Sequence, residues 1–146
     1  MTSEDTQTVS QKVVKVLLVS PFDEDHRQLQ AILRHSKWQQ YGARTRAAAL
    51  ELLRQNPVPV VVCESDLPDG SWKELLTQLN GLPHAPMLVV TSRFADELLW
   101  SEALNLGAYN VLAKPLHSAE VFHVVSLAWL MWKTNSEHTQ PLARTA

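Results

Sequence analysis

The chain has 146 residues, of which 45% are hydrophobic and 19% are charged, and its formal net charge is −2. This composition is typical of one globular domain, and the absence of a Lys/Arg block gives no support to nucleic-acid binding. The single cysteine, Cys63, excludes an internal disulfide framework. The first twelve residues are polar and no apolar run reaches the ~18 residues of a membrane span, so we expect a cytoplasmic protein that does not enter a membrane.

Short apolar strands alternate strictly with helices along the chain. The hydrophobic periodicity predicts strands at 13–19, 38–43, 58–64, 86–91 and 109–113. It predicts one helix that begins at Asp23 and further helices at 47–55, 71–79, 95–106 and 118–133. Such alternation indicates right-handed crossovers and a single parallel sheet. We expect residues 1–12 to be a flexible lead, residues 13–133 to be the domain, and residues 134–146 to be a frayed polar tail.

The third predicted strand, Val60–Cys63, runs directly into Glu64 and an acidic loop. An uninterrupted apolar run of this length is typical of a strand covered on both faces, as in a parallel sheet. In such sheets the chemistry lies at the carboxyl ends of the strands. The residues that should meet Glu64 at this edge follow the other strands and are Ser20, Asp23, Thr91 and Lys114.

Three motifs resemble the receiver domain of two-component response regulators. They are Glu64–Pro68, Pro86–Thr91 and Gly107–Pro115, within a resemblance that covers about residues 13–133. The resemblance implies an α/β, flavodoxin-like (βα)5 sandwich with parallel strand order 2-1-3-4-5. It also implies a role in bacterial two-component signal transduction or a phosphorelay, and no enzymatic activity.

By this resemblance, Thr91 matches the hydroxyl that senses a phosphoryl group. Lys114 matches the lysine that holds phosphoryl oxygens, and Pro115 matches a proline that follows it through a cis peptide. Glu64 stands at the position of the phosphoacceptor aspartate, and Val111 stands where many members carry a switch Tyr or Phe. The sequence therefore departs from the family at the acceptor and at the switch.

The acidic pocket of the family is also degenerate in this chain. Ser20 and Pro21 occupy the positions of the two metal-binding acids, and neither supplies a carboxylate. Asp23 takes the place of these acids only if the alignment with the family is shifted along the chain. An acid at the start of a helix has a simpler role, which is to stabilise the helix dipole. Near Asp66 only a backbone carbonyl remains as a ligand, so we expect no cofactor and at most weak Mg²⁺ binding.

Glu64 has three interpretations. Its extra methylene, about 1.5 Å of reach, carries the carboxylate toward Lys114 and Thr91, which favours a fixed ion pair in place of phosphorylation. It can instead be a solvated acid at the edge of a loop. The third interpretation is a working phosphoacceptor. The extra methylene argues against it, because it moves the carboxylate oxygens away from the position needed for in-line attack on phosphorus.

The function that this pattern favours is a phosphorylation-independent pseudo-receiver that acts by protein–protein interaction. We expect a partner such as a histidine kinase or another signalling protein, and a homodimer through the face of the fourth helix, fifth strand and fifth helix. Interface candidates are Trp100, Phe122 and Trp129, since an exposed pair of Phe122 and Trp129 would mark a contact surface.

Two alternatives belong to other classes. One is a conventional Mg²⁺-dependent regulator that is phosphorylated on Glu64, Asp66 or Asp69. The other is a flavin-binding flavodoxin-like protein, for which the loop 20–23 is poor in hydroxyls and too acidic. A colourless purified protein would eliminate the flavin alternative.

Overall fold

A computed structural model describes the backbone of residues 13–145 and the side chains of residues 13–135. Its strands are β1 Lys15–Val19, β2 Gln39–Ala43, β3 Val60–Glu64, β4 Asp66–Leu67, β5 Gly70–Ser71, β6 Met87–Ser92 and β7 Asn110–Ala113. Its helices are α1 Asp23–Leu33, α2 Arg46–Gln55, α3 Trp72–Asn80, α4 Glu97–Leu106 and α5 Ser118–Thr145.

The main sheet is parallel and has the order β2-β1-β3-β6-β7. Counted without the small hairpin β4-β5, this is the predicted order 2-1-3-4-5, so the flavodoxin-like fold is confirmed. In this register Glu64 lies opposite Thr91, and Ser92 lies opposite Ala113. The end of β3 therefore adjoins the end of β6, and Lys114 follows at the end of β7.

Each face of the sheet is covered by helices, and alternate residues of a strand serve the two sides. In β1, Leu17 and Val19 belong to the core that α2, α3 and α4 cover. Val16 and Leu18 belong to the core that α1 and α5 cover. Full burial of such side chains contributes roughly 1.5–3 kcal/mol each, which is why the strands read as continuous apolar runs.

Local sequence explains where three helices begin and one ends. The side chain of Thr45 accepts a hydrogen bond from the Ala48 amide, and the side chain of Asp96 accepts one from the Leu99 amide. Ser71 caps α3 in the same way through the Lys73 amide. Gly107 ends α4 with a φ of +107°, a left-handed conformation that glycine adopts without steric cost.

Two features differ from the sequence-based expectation. Helix α5 runs through Thr145, beyond the end at residue 133 that the sequence predicts. The hairpin β4-β5 was not predicted because its strands have two residues each. The predicted lead 1–12 lies outside the described residues, and within the described part of the chain no helix is long and apolar enough to cross a membrane.

Candidate functional site

The site at the carboxyl edge of the sheet is built around the ammonium group of Lys114. The Lys114 Nζ lies 2.7 Å from Asp25 Oδ2 and also contacts Glu64 Oε1. The Phe22 ring covers it, with its centroid 4.9 Å from Nζ. The side chains of Lys114, Asp25 and Glu64 are only 7%, 8% and 7% exposed. The positive charge is thus buried between two carboxylates.

Glu64 uses both of its carboxylate oxygens. While Oε1 contacts Lys114, Oε2 accepts hydrogen bonds from the Ser65 hydroxyl at 2.9 Å and from the Asp66 amide at 3.4 Å. The expected contact between Glu64 and Lys114 is therefore present. The interpretation of Glu64 as a solvated acid is wrong, because β3 ends in the interior and leaves this residue buried.

Asp25 is the second carboxylate of the site, and the sequence analysis missed it. It lies in the first turn of α1, is 6% exposed, and accepts a 2.6 Å hydrogen bond from the Ser20 hydroxyl on the oxygen that also meets Lys114. The sequence feature that indicates the burial of Asp25 is its spacing from the apolar residues of α1. Asp25 precedes Leu29 by four residues and Leu33 by eight, so it lies on the stripe of α1 that faces the core. An acid on that stripe needs a buried cation.

Asp23 does not belong to the pocket, contrary to the sequence-based expectation. Its side chain is 69% exposed and pairs with Arg44 at 2.5 Å on the surface. Residues two apart on a helix point in different directions, so the turn that buries Asp25 leaves Asp23 in solvent. The loop residue Pro21 is half-buried and offers no side-chain ligand.

The residues at this edge fit an ammonium ion better than Mg²⁺. The position between the two carboxylates is taken by Lys114, and the Ser20 hydroxyl is committed to Asp25. Mg²⁺ requires nearly octahedral oxygen ligands, and the carboxylate oxygens that could serve are already committed to Lys114, to the Ser20 hydroxyl and to the loop after β3. Among the residues that the structure describes, no group of three or more His, Cys, Asp or Glu side chains is placed to hold a metal.

The remaining residues of the family pattern differ in their burial and in their contact with this site. Thr91 is buried at the end of β6, and its hydroxyl oxygen has no hydrogen-bond partner within the described part of the chain, so Glu64 reaches Lys114 but not Thr91. Val111 is a core residue at 2% exposure. The peptide between Lys114 and Pro115 is cis. Asp66 is exposed and touches the site only through its backbone amide.

Asp69 has a structural role that explains its position in the loop between β4 and β5. Its carboxylate accepts hydrogen bonds from the amides of Arg46 at 2.8 Å and Ala47 at 3.0 Å, and so caps α2 from outside. Desolvation acts to raise the pKa of Asp69, but these amides and the Arg46 guanidinium outweigh it and lower the pKa below its ordinary value.

Cys63 directly precedes Glu64 in β3 but takes no part in the contacts of Lys114. It is fully buried in the core. Burial, and then the charge of Glu64, raise the pKa of the thiol far above its ordinary value. The thiol is therefore neutral and packs as a small hydrophobic group.

The aromatic residues do not form the surface that the sequence suggested. Phe122 packs edge-on against Trp38 with ring centroids 4.8 Å apart, and Trp129 is half-buried against the same core. Phe122 and Trp129 are therefore not a fully exposed pair, because this side of α5 packs toward Trp38 and the same core. Of the three candidates only Trp100, on α4, is exposed, at 38%.

Comparison with known proteins identifies the family. The profile of the response regulator receiver domain matches residues 11–126, and the chain belongs to this family. It is therefore a receiver domain of two-component signalling, a class of modules that is generally not enzymatic.

Two curated relatives illustrate how much of a longer protein the chain resembles. It is 29% identical over 130 residues to the transcriptional regulatory protein KdpE of Mycobacterium tuberculosis, covering 89% of this chain and 57% of that protein. It is 27% identical over 126 residues to the two-component response regulator-like PRR37 of Oryza sativa, covering 83% of this chain and 17% of that protein.

Solved structures share the fold. The receiver domain of an HD domain-containing protein from Pseudomonas fluorescens superposes with a TM-score of 0.78 at 24% identity, covering 86% of this chain and 93% of that chain. The receiver domain of a Luxo repressor protein from Vibrio parahaemolyticus gives 0.77 at 17% identity, with coverage of 85% and 95%.

Replacing Lys114 by Met should destabilise the domain strongly. The change leaves two buried carboxylates side by side without a cation, which costs about 3–5 kcal/mol of unfolding free energy. Urea unfolding followed by circular dichroism measures the loss. The matched control is Arg44→Met, which removes the cation of the exposed pair with Asp23 and should cost less than about 1 kcal/mol. Equal losses in the two variants would contradict the buried ion pair.

Replacing Asp69 by Asn should weaken the cap of α2 in a pH-dependent manner. We expect a loss of about 1 kcal/mol near neutral pH. Because the folded pKa of Asp69 is lowered, its contribution is present above the unfolded pKa and is lost as the pH falls through the folded pKa. The difference from the wild type should therefore shrink on acidification. Asp66→Asn changes an exposed acid in the same hairpin that caps no helix and should cost less near neutral pH. A difference for Asp69→Asn that stays constant with pH would disprove the assignment.

Proposed function

We propose that this receiver domain signals without phosphoryl transfer and acts by binding other proteins. The observation that carries the proposal is the commitment of Lys114 to Asp25 and Glu64 within the site. In a receiver, the lysine at this position is the group that would neutralise phosphoryl oxygens. Here that charge is already balanced by the protein itself.

Electrostatics argue against a phosphoryl group at this edge. When all three groups are ionised, Asp25 and Glu64 carry two negative charges and Lys114 carries one positive charge. The buried cluster then has a net charge of −1. A phosphoryl group would add further negative charge, and phosphoryl transfer depends on cations that neutralise it. With no ligand set that suits Mg²⁺, the repulsion would remain uncompensated.

Geometry argues in the same direction. One oxygen of Glu64 contacts Lys114 and the other accepts two hydrogen bonds from the following loop. A nucleophilic carboxylate must instead present an oxygen in line with the phosphorus, and misplacement by about 1 Å can cost about 100-fold in rate. The longer Glu side chain serves as a permanent substitute for the charge and reach of a modified aspartate.

The face formed by α4, β7 and α5 is the proposed contact surface for a second copy or for a signalling partner such as a histidine kinase. On α4, Glu102 pairs with Lys73 of α3 at 2.8 Å, which fixes the side that faces α3. Trp100 and Leu104, four residues apart, lie on the opposite side and are 38% and 49% exposed.

Helix α5 contributes to the same face. Because Phe122 contacts Trp38, the side of α5 that carries Phe122 faces α1. Leu127 and Met131 lie on the other side, four residues apart, and each is 42% exposed. Together with Trp100 and Leu104 they give an apolar surface of the kind that marks protein contacts. This surface replaces Phe122 and Trp129 as the interface candidate.

Incubation with acetyl phosphate and Mg²⁺ should produce no phosphorylated protein. Intact-mass spectrometry reads the result directly, and a tryptophan fluorescence titration with Mg²⁺ and beryllofluoride should likewise show no saturable change. A triple variant, Ser20→Asp, Pro21→Asp and Glu64→Asp, supplies the acids that the family pattern has and should gain labelling. Labelling of the wild-type chain on Glu64, Asp66 or Asp69 would refute the proposal and favour the conventional regulator.

Sedimentation velocity should detect a dimer that Leu104→Glu disrupts. A buried charge at the centre of an apolar contact costs several kcal/mol, so the variant should be monomeric where the wild type associates. Leu98→Glu is the matched control, since Leu98 is 76% exposed on the α3 side of α4 and should not affect the dimer. A wild type that stays monomeric at every accessible concentration would eliminate the homodimer and leave only other partners for this face.

A further inference from the structure

A second cleft lies at the end of the sheet opposite Lys114. It is formed where α2 ends, where the loop before β6 passes, and where α5 extends beyond the sheet. Its volume is about 550 Å³, within the range of about 300–1,000 Å³ that is usual for small-molecule sites. Its walls are mostly apolar, with one guanidinium, and include Leu53, Val58, Leu82, Pro86, Trp132 and Arg54.

Trp132 gives this cleft a fixed wall. It continues the core-facing stripe of α5 through Val121, Val125 and Ala128, but it lies past the end of the sheet and is only half-buried. Its indole N–H donates a 3.1 Å hydrogen bond to the carbonyl of His84. His84 has a φ of +52°, a conformation that costs roughly 1–2 kcal/mol for a residue with a side chain. The surrounding contacts therefore hold this loop in a backbone conformation that is unfavourable by itself.

The charges of the domain are divided between its two ends. The cleft lies at the end of the domain where helices end and strands begin. Among the residues whose side chains the structure describes, the one acid at this end is Glu51, near the end of α2. The cations there are Lys15, Arg34, Lys37, Arg54 and Lys133. The opposite end carries most of the acids, among them Asp23, Asp25, Glu64, Asp69 and Asp96. The described charges near the cleft therefore favour an anion over a cation as its ligand.

Arg54 is available to an anion at the mouth of the cleft. It pairs with Glu51 at 3.1 Å, three residues earlier on the same helix, and the two side chains are 70% and 61% exposed. An exposed pair of this kind contributes only about 0–1 kcal/mol. A ligand carboxylate or sulfonate that also buries apolar surface can therefore replace Glu51 as the partner of the guanidinium.

We propose that this cleft binds a small amphipathic anion, an aromatic or branched aliphatic group that carries one carboxylate or sulfonate. The apolar group packs on Trp132 and Leu82, and the anion pairs with Arg54. This site is independent of the cluster at Lys114 and does not depend on how the domain signals. Its ligand would bind a surface formed by α2, α5 and the loop before β6.

A pair of fluorescent probes tests the charge and the cleft separately. The anionic probe is 1-anilinonaphthalene-8-sulfonate, and N-phenyl-1-naphthylamine has the same ring system without the charge. The anionic probe should bind saturably to one site on the folded wild-type chain. Arg54→Gln should weaken it about tenfold and leave the neutral probe unchanged. Trp132→Phe, which loses the hydrogen bond to His84 and part of the wall, should weaken both probes.

Two control variants distinguish binding in this cleft from binding elsewhere on the domain. Arg27→Gln removes the same charge from the exposed face of α1, so it should leave the anionic probe unaffected. Leu104→Glu alters the exposed surface of α4 and should also leave it unaffected. The proposal fails if no saturable binding occurs, if Arg27→Gln matches Arg54→Gln, or if Leu104→Glu abolishes binding. The proposal also fails if the chain self-associates, if this association prevents the probe from binding, and if Arg54→Gln disrupts it. That result would assign the cleft to a second copy of the chain.

Discussion

The buried ammonium of Lys114 is the constraint on which the carboxyl edge of this domain depends. Taking a charge out of water costs several kcal/mol, and only close partners of opposite charge offset it. Asp25 and Glu64 supply them, one from the first turn of α1 and one from the end of β3. A single cation thus connects three segments that are distant in sequence, and removing any one member leaves the others poorly compensated.

The sheet makes this arrangement possible. Parallel pairing sets Glu64 beside Thr91 and brings the end of β7 next to β6, so the residue after β7 points over the same edge. The side chains then need only reach a short distance, and the longer Glu covers the gap that an Asp would leave. Phe22 and the Ser20 hydroxyl complete the enclosure from the loop before α1. Fold and site are therefore specified by the same strand ends.

Much of this could be predicted from the sequence because it depends on periodicity. The alternation of strands and helices predicts a parallel sheet, and the positions of Glu64 and Lys114 at strand ends predict their contact. The strand order itself came from the resemblance to receiver domains, because alternation does not fix which strands are neighbours. Asp25 was missed because three acids in one helical turn also satisfy the helix dipole, and only the spacing to Leu29 and Leu33 shows which of them is inside. The packing of Phe122 could not be predicted, because helical spacing gives a face of the helix but not the neighbour, here Trp38, that covers it.

The strength of the ion pair bears on whether this receiver can switch at all. A conformational change that separated Glu64 from Lys114 would break a buried pair and cost about 3–5 kcal/mol. At about 1.4 kcal/mol for each factor of ten, the separated state would be populated at well below 1%. Covalent modification of the acceptor position would have to supply that energy against the negative charge already present. A partner that binds the paired state needs no such input, and the proposed function, recognition without phosphoryl transfer, depends on this difference in energy.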